Sequence, residues 1–400
     1  MRRESSIGFK THFSALDGYR AIAVLLVFCG HYGGGLHQGA ILRFLFYLTS
    51  IGPAGVGLFF VLSGFLITGI LYDTRFDPHF FRTFYARRAL RIFPVAYLVM
   101  FGCLLLTPIV KYKFQWAQIS FLLYVGNIFA HWNGSLWGVW STVHPALSIN
   151  LAHFWSLFVE EQFYLLWPIV VYFVKDRTRL IKIGAAIIVT AFVLRVAFVV
   201  LLPFDDALDA AFRQLPSRAD DLAMGGCLAL LLRGPNAELW LRRSRALLVA
   251  GVMGMVAVFG LSHQPGFGDP LALTIGMDCV SLFAVGLVGA CIQPHTIISK
   301  ALSIAALRRL GVYSYGFYVY HTLFGPSRDL FFVWAKGYFR SVAVAGVLTA
   351  AVYFVGTFIL AALSYELYEK RFLNLKRFFP YESKQQLTSV GGARTGAISS

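Results

Sequence analysis

Long uncharged segments recur along the whole chain and constrain its fold more than any other feature. The apolar stretches lie near residues 16–34, 51–72, 92–110, 116–131, 151–174, 183–202, 219–232, 246–262, 271–292, 309–325 and 340–366. A helix needs about 20 apolar residues to cross the hydrocarbon core of a bilayer. Because 58% of the residues are hydrophobic and only 14% are charged, no soluble core could bury this much apolar surface. We therefore expect an all-α integral membrane protein.

The segment at 116–131 is the weakest of these candidates, because it is short and precedes a stretch rich in Trp, Gly and His. Lys and Arg cluster between the apolar segments, and such residues accumulate in cytoplasmic loops. If 116–131 crosses the membrane, most of the later Lys and Arg residues lie outside the cell. If it instead re-enters or lies at the surface, most of them lie on the cytoplasmic side, as the rule requires. The sequence thus predicts about ten transmembrane helices with both termini in the cytoplasm.

The chain is predicted to form a single transmembrane domain over residues 1–372, in contact with the lipid bilayer. Residues 373–400 are predicted to form a cytoplasmic tail that is largely disordered, since its last part is polar and rich in Ser, Gly and Thr.

The formal net charge of +16 does not indicate a nucleic-acid-binding protein. The basic residues follow the pattern of membrane topology, and no basic fold motif accompanies them. The five cysteines all lie in apolar segments, at spacings that fit no metal site, so no metal is expected.

The first span carries ionisable residues, which are costly inside a membrane and usually functional there. Asp17 and Arg20 open the span, and His31 follows eleven residues after Arg20. That spacing places the imidazole about 16 Å further along a helix. We expect Asp17, Arg20 and His31 to belong to the catalytic machinery.

Two adjacent carboxylates, Glu160 and Glu161, lie within the span that begins near residue 151. Adjacent helix positions differ by about 100° in direction, so the two side chains cannot face the same partner. Because a buried carboxylate needs a partner, two such acids are not explained by packing. We expect one of them to face the bundle interior and take part in catalysis.

Arg88 and Arg91 are three residues apart, so their guanidinium groups share one helix face. Paired arginines suit phosphate recognition, although they also fit simple membrane anchoring. The glycine-rich span at 52–69 contains Ser63, Gly64 and Phe65, where the backbone could admit a slender ligand. Its small residues also fit close helix packing.

A further polar group is predicted near the opposite membrane surface. Arg218 and Asp220 open the span near 219–232, and His321 lies at a depth similar to that of His31. We expect these three residues, together with Tyr164, to contact a substrate. The alternative is structural, with Arg218 and Asp220 forming an interfacial ion pair.

The chain resembles the acyltransferase-3 family of bacterial membrane O-acyltransferases over about residues 16–372. The matching elements are Arg20 and His31 in the first span, GVGLFFVLSGF, the arginine pair at 88–91, HFWSLFVEEQFYLLWP, RADDLAMG, SYGFYVYH and the terminal YEKRF. The resemblance implies a protein of the bacterial inner membrane. It also implies transfer of an acyl group, commonly acetyl, from cytoplasmic acyl-CoA to a hydroxyl of a carbohydrate or related acceptor.

A division of labour follows as a hypothesis. Arg88 and Arg91 hold the phosphates of CoA, and the pantetheine arm passes the segment at 63–65. His31 acts as general base on the acceptor hydroxyl, oriented by Glu160 or Glu161. Direct transfer is favoured over an acyl-enzyme, although both fit. The other functional class that fits buried acids and histidines is a proton-coupled transporter or flippase of a glycoconjugate.

Overall fold

The protein is described by a computed structural model, which covers residues 13–32, 49–113, 115–132, 137–262 and 266–381. In chain order the helices are α1 Ser14–Tyr32, α2 Ala54–Asp73, α3 Phe80–Val110, α4 Ile119–Leu122, α5 Gly126–Trp132, α6 Trp155–Val174, α7 Arg177–Leu201, α8 Phe204–Arg213, α9 Leu215–Leu231, α10 Ala237–Leu261, α11 Met277–Cys291, α12 Ile297–Leu302, α13 Ala305–Tyr320, α14 Gly325–Phe339, α15 Val342–Ser364 and α16 Lys370–Asn374. The strands are β1 Tyr112–Lys113, β2 Gly138–Ser141 and β3 Ile149–Asn150.

Seven helices in the described part of the chain are long and apolar enough to cross a membrane. They are α2, α3, α6, α7, α10, α11 with the turn before it, and α15 with its continuation. Helices suit this environment because they satisfy their own backbone hydrogen bonds. The predicted membrane protein is thus confirmed. Helices α1, α9 and α13 pack against these seven helices, and it stays a prediction that they cross the membrane.

The segment that the sequence singled out as the weakest span forms no long helix. Residues 116–131 are divided between a short 3₁₀ turn, α4 and α5. They adjoin a three-stranded antiparallel sheet in the order β1-β2-β3, in which Tyr112 pairs with Ser141 and Val139 with Ile149. This sheet is the one departure from the expected all-α architecture among the described residues.

The bundle has two ends, which we name the basic face and the sheet face. The basic face carries Arg20 near the start of α1 and Arg88 near the start of α3. The sheet face carries β1, which directly follows α3. Helices α1, α3 and α13 run from the basic face to the sheet face, whereas α2 and α6 run back. The Asn150 amide donates to the Leu323 carbonyl at 3.0 Å and so joins β3 to the end of α13.

Helices α2 and α9 are in backbone contact through small residues. A Cβ atom at Gly64 would lie 1.9 Å from the carbonyl oxygen of Leu222, and one at Gly225 would lie 1.9 Å from that of Val61. Phe65 is buried in the same apolar cluster. Gly64 thus packs the two helices together, as small residues do in membranes. The expected passage for a ligand at Gly64 and Phe65 stays a prediction.

A buried ion network joins α7, α9 and α11. Arg195 donates to Asp220 at 2.5 Å and to Asp278 at 2.6 Å, and its side chain is fully buried. Arg218 pairs with Asp221 at 2.7 Å instead of with Asp220, and its guanidinium also lies over the Phe60 ring. Arg218 is 3% and Asp220 1% exposed, so both residues are enclosed in this ion network, and their contact with a substrate stays a prediction. The sequence suggested Arg218 as the partner of Asp220, because Arg195 lies in a different span and meets Asp220 only through helix packing.

The chain beyond α15 returns to the basic face. A helical turn at Leu375–Phe378 follows α16, and Arg87 donates to the carbonyl oxygens of Lys376 at 2.9 Å and Phe379 at 2.8 Å. The first residues of the expected disordered tail thus have defined contacts. The remainder of that tail, from residue 382, lies outside the described residues.

Candidate active site

A cavity of about 140 Å³ extends into the bundle from the basic face. Arg20, Arg88 and Arg91 line it, so the shared helix face predicted for the two α3 arginines leads into the same space. Deeper in the bundle its wall includes Ser63 and Glu160. The cavity thus combines cations near the basic face with hydroxyl and carboxyl groups inside the bundle. We call it the basic cavity.

A hydrogen-bonded set of side chains forms the polar wall of the basic cavity. The Ser63 hydroxyl donates to Glu160 Oε1 at 2.6 Å, and the Tyr164 hydroxyl donates to Ser63 Oγ at 2.9 Å. The Arg88 guanidinium lies 5.0 Å from the centre of the Tyr164 ring. Tyr164, expected to contact a substrate, therefore lies beside the arginines. Of the segment at 63–65, only Ser63 lines this cavity.

Arg88 and Arg91 have no carboxylate partner within ion-pair distance among the described residues. Arg91 lies over the Tyr315 ring at 5.8 Å. Arg20, in contrast, donates to Asp17 at 2.8 Å. Asp17 thus belongs to the site through Arg20 and does not line the cavity itself. Two arginines at one mouth that form no ion pair among the described residues are suited to an anionic ligand.

The two adjacent acids of α6 face different surroundings, as their spacing predicted. Glu160 lines the basic cavity, whereas Glu161 does not. Glu161 Oε1 is buried and has no hydrogen-bond partner among the described residues. Glu160 is therefore the acid that a ligand in the basic cavity would meet.

The inner end of the basic cavity is closed by Ser156 and Tyr318. Their hydroxyl groups are hydrogen-bonded to each other, and the Tyr318 hydroxyl lies 3.1 Å from the carbonyl oxygen of His153. The Tyr318 ring is 5.4 Å from the ring of His321. Tyr318 is thus the wall between the cavity and a group of histidines.

Three histidines lie together beyond Tyr318. The rings of His31 and His321 are 4.9 Å apart, and those of His153 and His321 are 5.2 Å apart. His153 Nε2 lies 2.8 Å from the Val319 carbonyl oxygen and its Nδ1 lies 2.6 Å from the Thr322 hydroxyl. His153 therefore donates through Nε2 and accepts through Nδ1.

The hydrogen bonds of His31 and His321 fix which ring nitrogen carries the proton. His31 Nδ1 lies 2.9 Å from the Val27 carbonyl oxygen, and His321 Nδ1 lies 2.6 Å from that of Tyr318. A carbonyl oxygen only accepts, so each Nδ1 must be the donor. His321 Nε2 then presents its lone pair to His31 Nδ1 at 3.4 Å. In neutral His31, Nε2 is consequently left as the basic nitrogen.

A second cavity, of about 210 Å³, lies at the sheet face, and His31 lines it. Tyr32, Arg328 and Phe332 also line it. Arg328 donates to the His31 carbonyl oxygen at 3.0 Å and lies over the Tyr32 ring. We call this space the outer cavity. It offers an imidazole, a cation and aromatic rings together.

The expected hydrogen bond between His31 and an α6 carboxylate was wrong. Glu160 is bound to Ser63 in the basic cavity, and the ring that faces His31 is that of His321. The sequence analysis also missed Ser156 and Tyr318, although spacing gave a signal. Ser156 precedes Glu160 by four residues and Tyr318 precedes His321 by three, so each shares a helix face with its neighbour.

Comparisons with known proteins identify relatives. YrhL of Bacillus subtilis (strain 168), a putative peptidoglycan O-acetyltransferase, is 29% identical over 329 residues, or 78% of this chain and 48% of that protein. The peptidoglycan O-acetyltransferase OatA of Listeria monocytogenes serovar 1/2a is 26% identical over 379 residues, or 90% of this chain and 56% of that protein. The O-acetyltransferase OatA of Staphylococcus aureus (strain NCTC 8325) is 26% identical over 78% of this chain and 50% of that protein.

The chain spans about half the length of these curated relatives. No solved structure matches it. The family Acyl_transf_3, described as an acyltransferase domain, matches residues 13–366, which include every residue of the two cavities and the histidine group between them. The protein therefore belongs to the acyltransferase-3 family.

Proposed function

We propose that this protein is a membrane O-acyltransferase that moves an acetyl group from acetyl-CoA to a hydroxyl of a carbohydrate. The observation that carries the proposal is the position of His31. Its Nδ1 donates to the Val27 carbonyl oxygen, so its Nε2 is the basic nitrogen. His31 lines the outer cavity, on the other side of Tyr318 from the basic cavity. The names of the related O-acetyltransferases support acetyl as the group transferred.

The donor enters the basic cavity. Arg88 and Arg91 bind the diphosphate of CoA, since neither has a carboxylate within ion-pair distance among the described residues. The pantetheine arm extends past Ser63 and Glu160 toward Tyr318. The basic face is then cytoplasmic, which agrees with the preference of Lys and Arg for that side.

The acceptor enters the outer cavity, where Tyr32 and Phe332 offer apolar ring faces and Arg328 a cation. Its hydroxyl donates to His31 Nε2. The hydroxyl oxygen attacks the thioester carbonyl carbon while His31 takes the proton, and the carbon–sulfur bond breaks. The CoA thiolate then leaves and accepts the proton that His31 took, so that His31 returns to its neutral state. His321 Nε2 accepts a hydrogen bond from the His31 cation and so stabilises it.

Direct transfer requires the thioester to pass Tyr318. The Tyr318 side chain separates the cavities, so it turns aside when the donor binds. Its hydroxyl partners, Ser156 and the His153 carbonyl, hold it in the closed position until then. No covalent acyl-enzyme is needed in this scheme.

Purified protein in proteoliposomes tests the proposal. Acetyl-CoA and soluble peptidoglycan fragments are added on opposite sides, and release of free CoA thiol is followed together with label in the acceptor. We expect both products in equal amounts. A transporter or flippase would release no thiol, and that result would overturn the proposal.

Variants at the mouth of the basic cavity test the donor site. Arg88→Ala with Arg91→Ala is expected to raise KM for acetyl-CoA about tenfold or more, because two charge-assisted contacts are lost. Arg179→Ala is the matched control, since this arginine also lies at the basic face but is exposed and lines neither cavity. An equal effect of both changes would contradict the assignment.

A further inference from the structure

The C-terminal segment is attached to the start of α3, beside the mouth of the basic cavity. One guanidinium nitrogen of Arg87 holds the carbonyl oxygens of Lys376 and Phe379. The Arg82 guanidinium lies over the Phe379 ring at 5.7 Å, and that of Arg87 lies over the Tyr381 ring at 4.7 Å. These contacts place residues 376–381 against the helix turn that precedes Arg88.

This attachment places Lys376, a fourth cation, near three arginines of α3. Lys376 is half-buried and lies within the electrostatic field of Arg87, Arg88 and Arg91. Among the described residues, no carboxylate has an electrostatic effect on Lys376 comparable to that of these arginines. Glu160 and Glu161 act on Arg88 from inside the bundle, and Glu369 acts on Arg91.

Lys376 adds a like charge to these arginines, and like charges brought together are unfavourable unless an anion joins them. Phosphate is an anion that Lys and Arg side chains bind through charge-assisted hydrogen bonds. Arg88 and Arg91 line the basic cavity, whereas Lys376 does not. Lys376 therefore lies further out along the path of a ligand that extends from the cavity to the basic face.

We propose that Lys376 binds the 3′-phosphate on the ribose of the CoA donor and thereby selects 3′-phosphorylated adenosine nucleotides. In CoA the diphosphate lies between the pantetheine arm and the ribose, so a diphosphate at Arg88 and Arg91 leaves the 3′-phosphate on the outer side. The inference rests on the proposed function for the identity of the donor. Lys376 lies beyond residue 366, where the family match ends.

Binding of two nucleotides to the purified full chain tests this site without any need for turnover. Adenosine 3′,5′-bisphosphate is expected to bind about tenfold more tightly than adenosine 5′-monophosphate. Lys376→Ala should remove that preference, and Lys376→Arg should retain it. Lys370→Ala is the matched control, since Lys370 lies on the same segment but is exposed and paired with Glu366 at 3.0 Å.

Equal binding of the two nucleotides by the unmodified protein, or an unchanged preference in Lys376→Ala, would overturn the inference. So would a loss of binding to phosphatidylglycerol vesicles in Lys376→Ala with nucleotide binding unchanged, since the phosphate would then be that of a lipid. Thiol release from acetyl-CoA and from acetyl-3′-dephospho-CoA separates this inference from the proposed function. If neither donor reacts while nucleotide preference persists, the proposed function alone fails.

Discussion

His31 Nδ1 lies 3.4 Å from His321 Nε2, although the two histidines are 290 residues apart in the chain. Both Nδ1 atoms are held by carbonyl oxygens, so the pair has one arrangement of protons when both rings are neutral. A proton taken up at His31 Nε2 strengthens the contact, since the donor then carries a positive charge.

Replacement of His31 by Ala is expected to lower acetyl transfer by about 10²–10⁴-fold, because the general base is lost. The measurement is the rate of thiol release in proteoliposomes. Cys29→Ala is the control, since Cys29 is an exposed residue two positions earlier on α1. Transfer near the unmodified rate in His31→Ala would refute the role of His31.

Replacement of His321 by Ala is expected to lower kcat about tenfold while KM for acetyl-CoA stays unchanged. His321 touches His31 but does not line the basic cavity, so it acts on the histidine and not on donor binding. Steady-state kinetics over a range of acetyl-CoA concentrations separates the two parameters. A raised KM with unchanged kcat would mean that His321 serves donor binding instead.

Replacement of Gly64 by Ala is expected to destabilise the protein, because the new Cβ would lie 1.9 Å from the Leu222 carbonyl oxygen. Overpacking of this kind costs about 1–3 kcal/mol or more. The control is Gly102→Ala on α3, where nothing lies within 4 Å of the added atom. That change should stabilise slightly, since Ala favours a helix over Gly. Thermal unfolding in detergent, followed by loss of monodisperse protein, compares the two variants.

Replacement of Arg195 by Leu is expected to destabilise the bundle by about 3–5 kcal/mol, because Asp220 and Asp278 lose their buried cation. Adding Asp220→Asn and Asp278→Asn to the same chain should recover part of that stability, since the unpaired charges are then gone. Thermal unfolding of the single and triple variants tests this. A single variant as stable as the unmodified protein would show that the network contributes nothing.

The sequence predicted those features that depend on residue spacing and hydropathy within one segment. Length and hydropathy predicted a helical membrane protein. Charge clustering predicted that 116–131 does not cross the membrane, and this segment forms no long helix in the structure. Spacing correctly placed Arg88 and Arg91 on one face and separated Glu160 from Glu161. Each of these conclusions depends only on neighbours within one helix, which the chain itself specifies.

Contacts between helices could not be predicted in the same way. Asp220 pairs with Arg195, and His31 meets His321 instead of a carboxylate, because helix order in space is set by packing and not by residue depth. Gly64 was ambiguous for the same reason, since a small residue fits a ligand passage and a helix crossing equally well. The position of Leu222 shows that Gly64 lies at a helix crossing.

The wall formed by Tyr318 has a consequence for the cell that carries this protein. A continuous channel between the basic and outer cavities would let protons and ions flow down their gradients, and a bacterium lives on those gradients. On the proposed function the two cavities open to opposite sides of the membrane, and Tyr318 with its hydrogen-bonded partners separates them. The proposal therefore requires the acetyl group to pass Tyr318 without a permanently open path for ions.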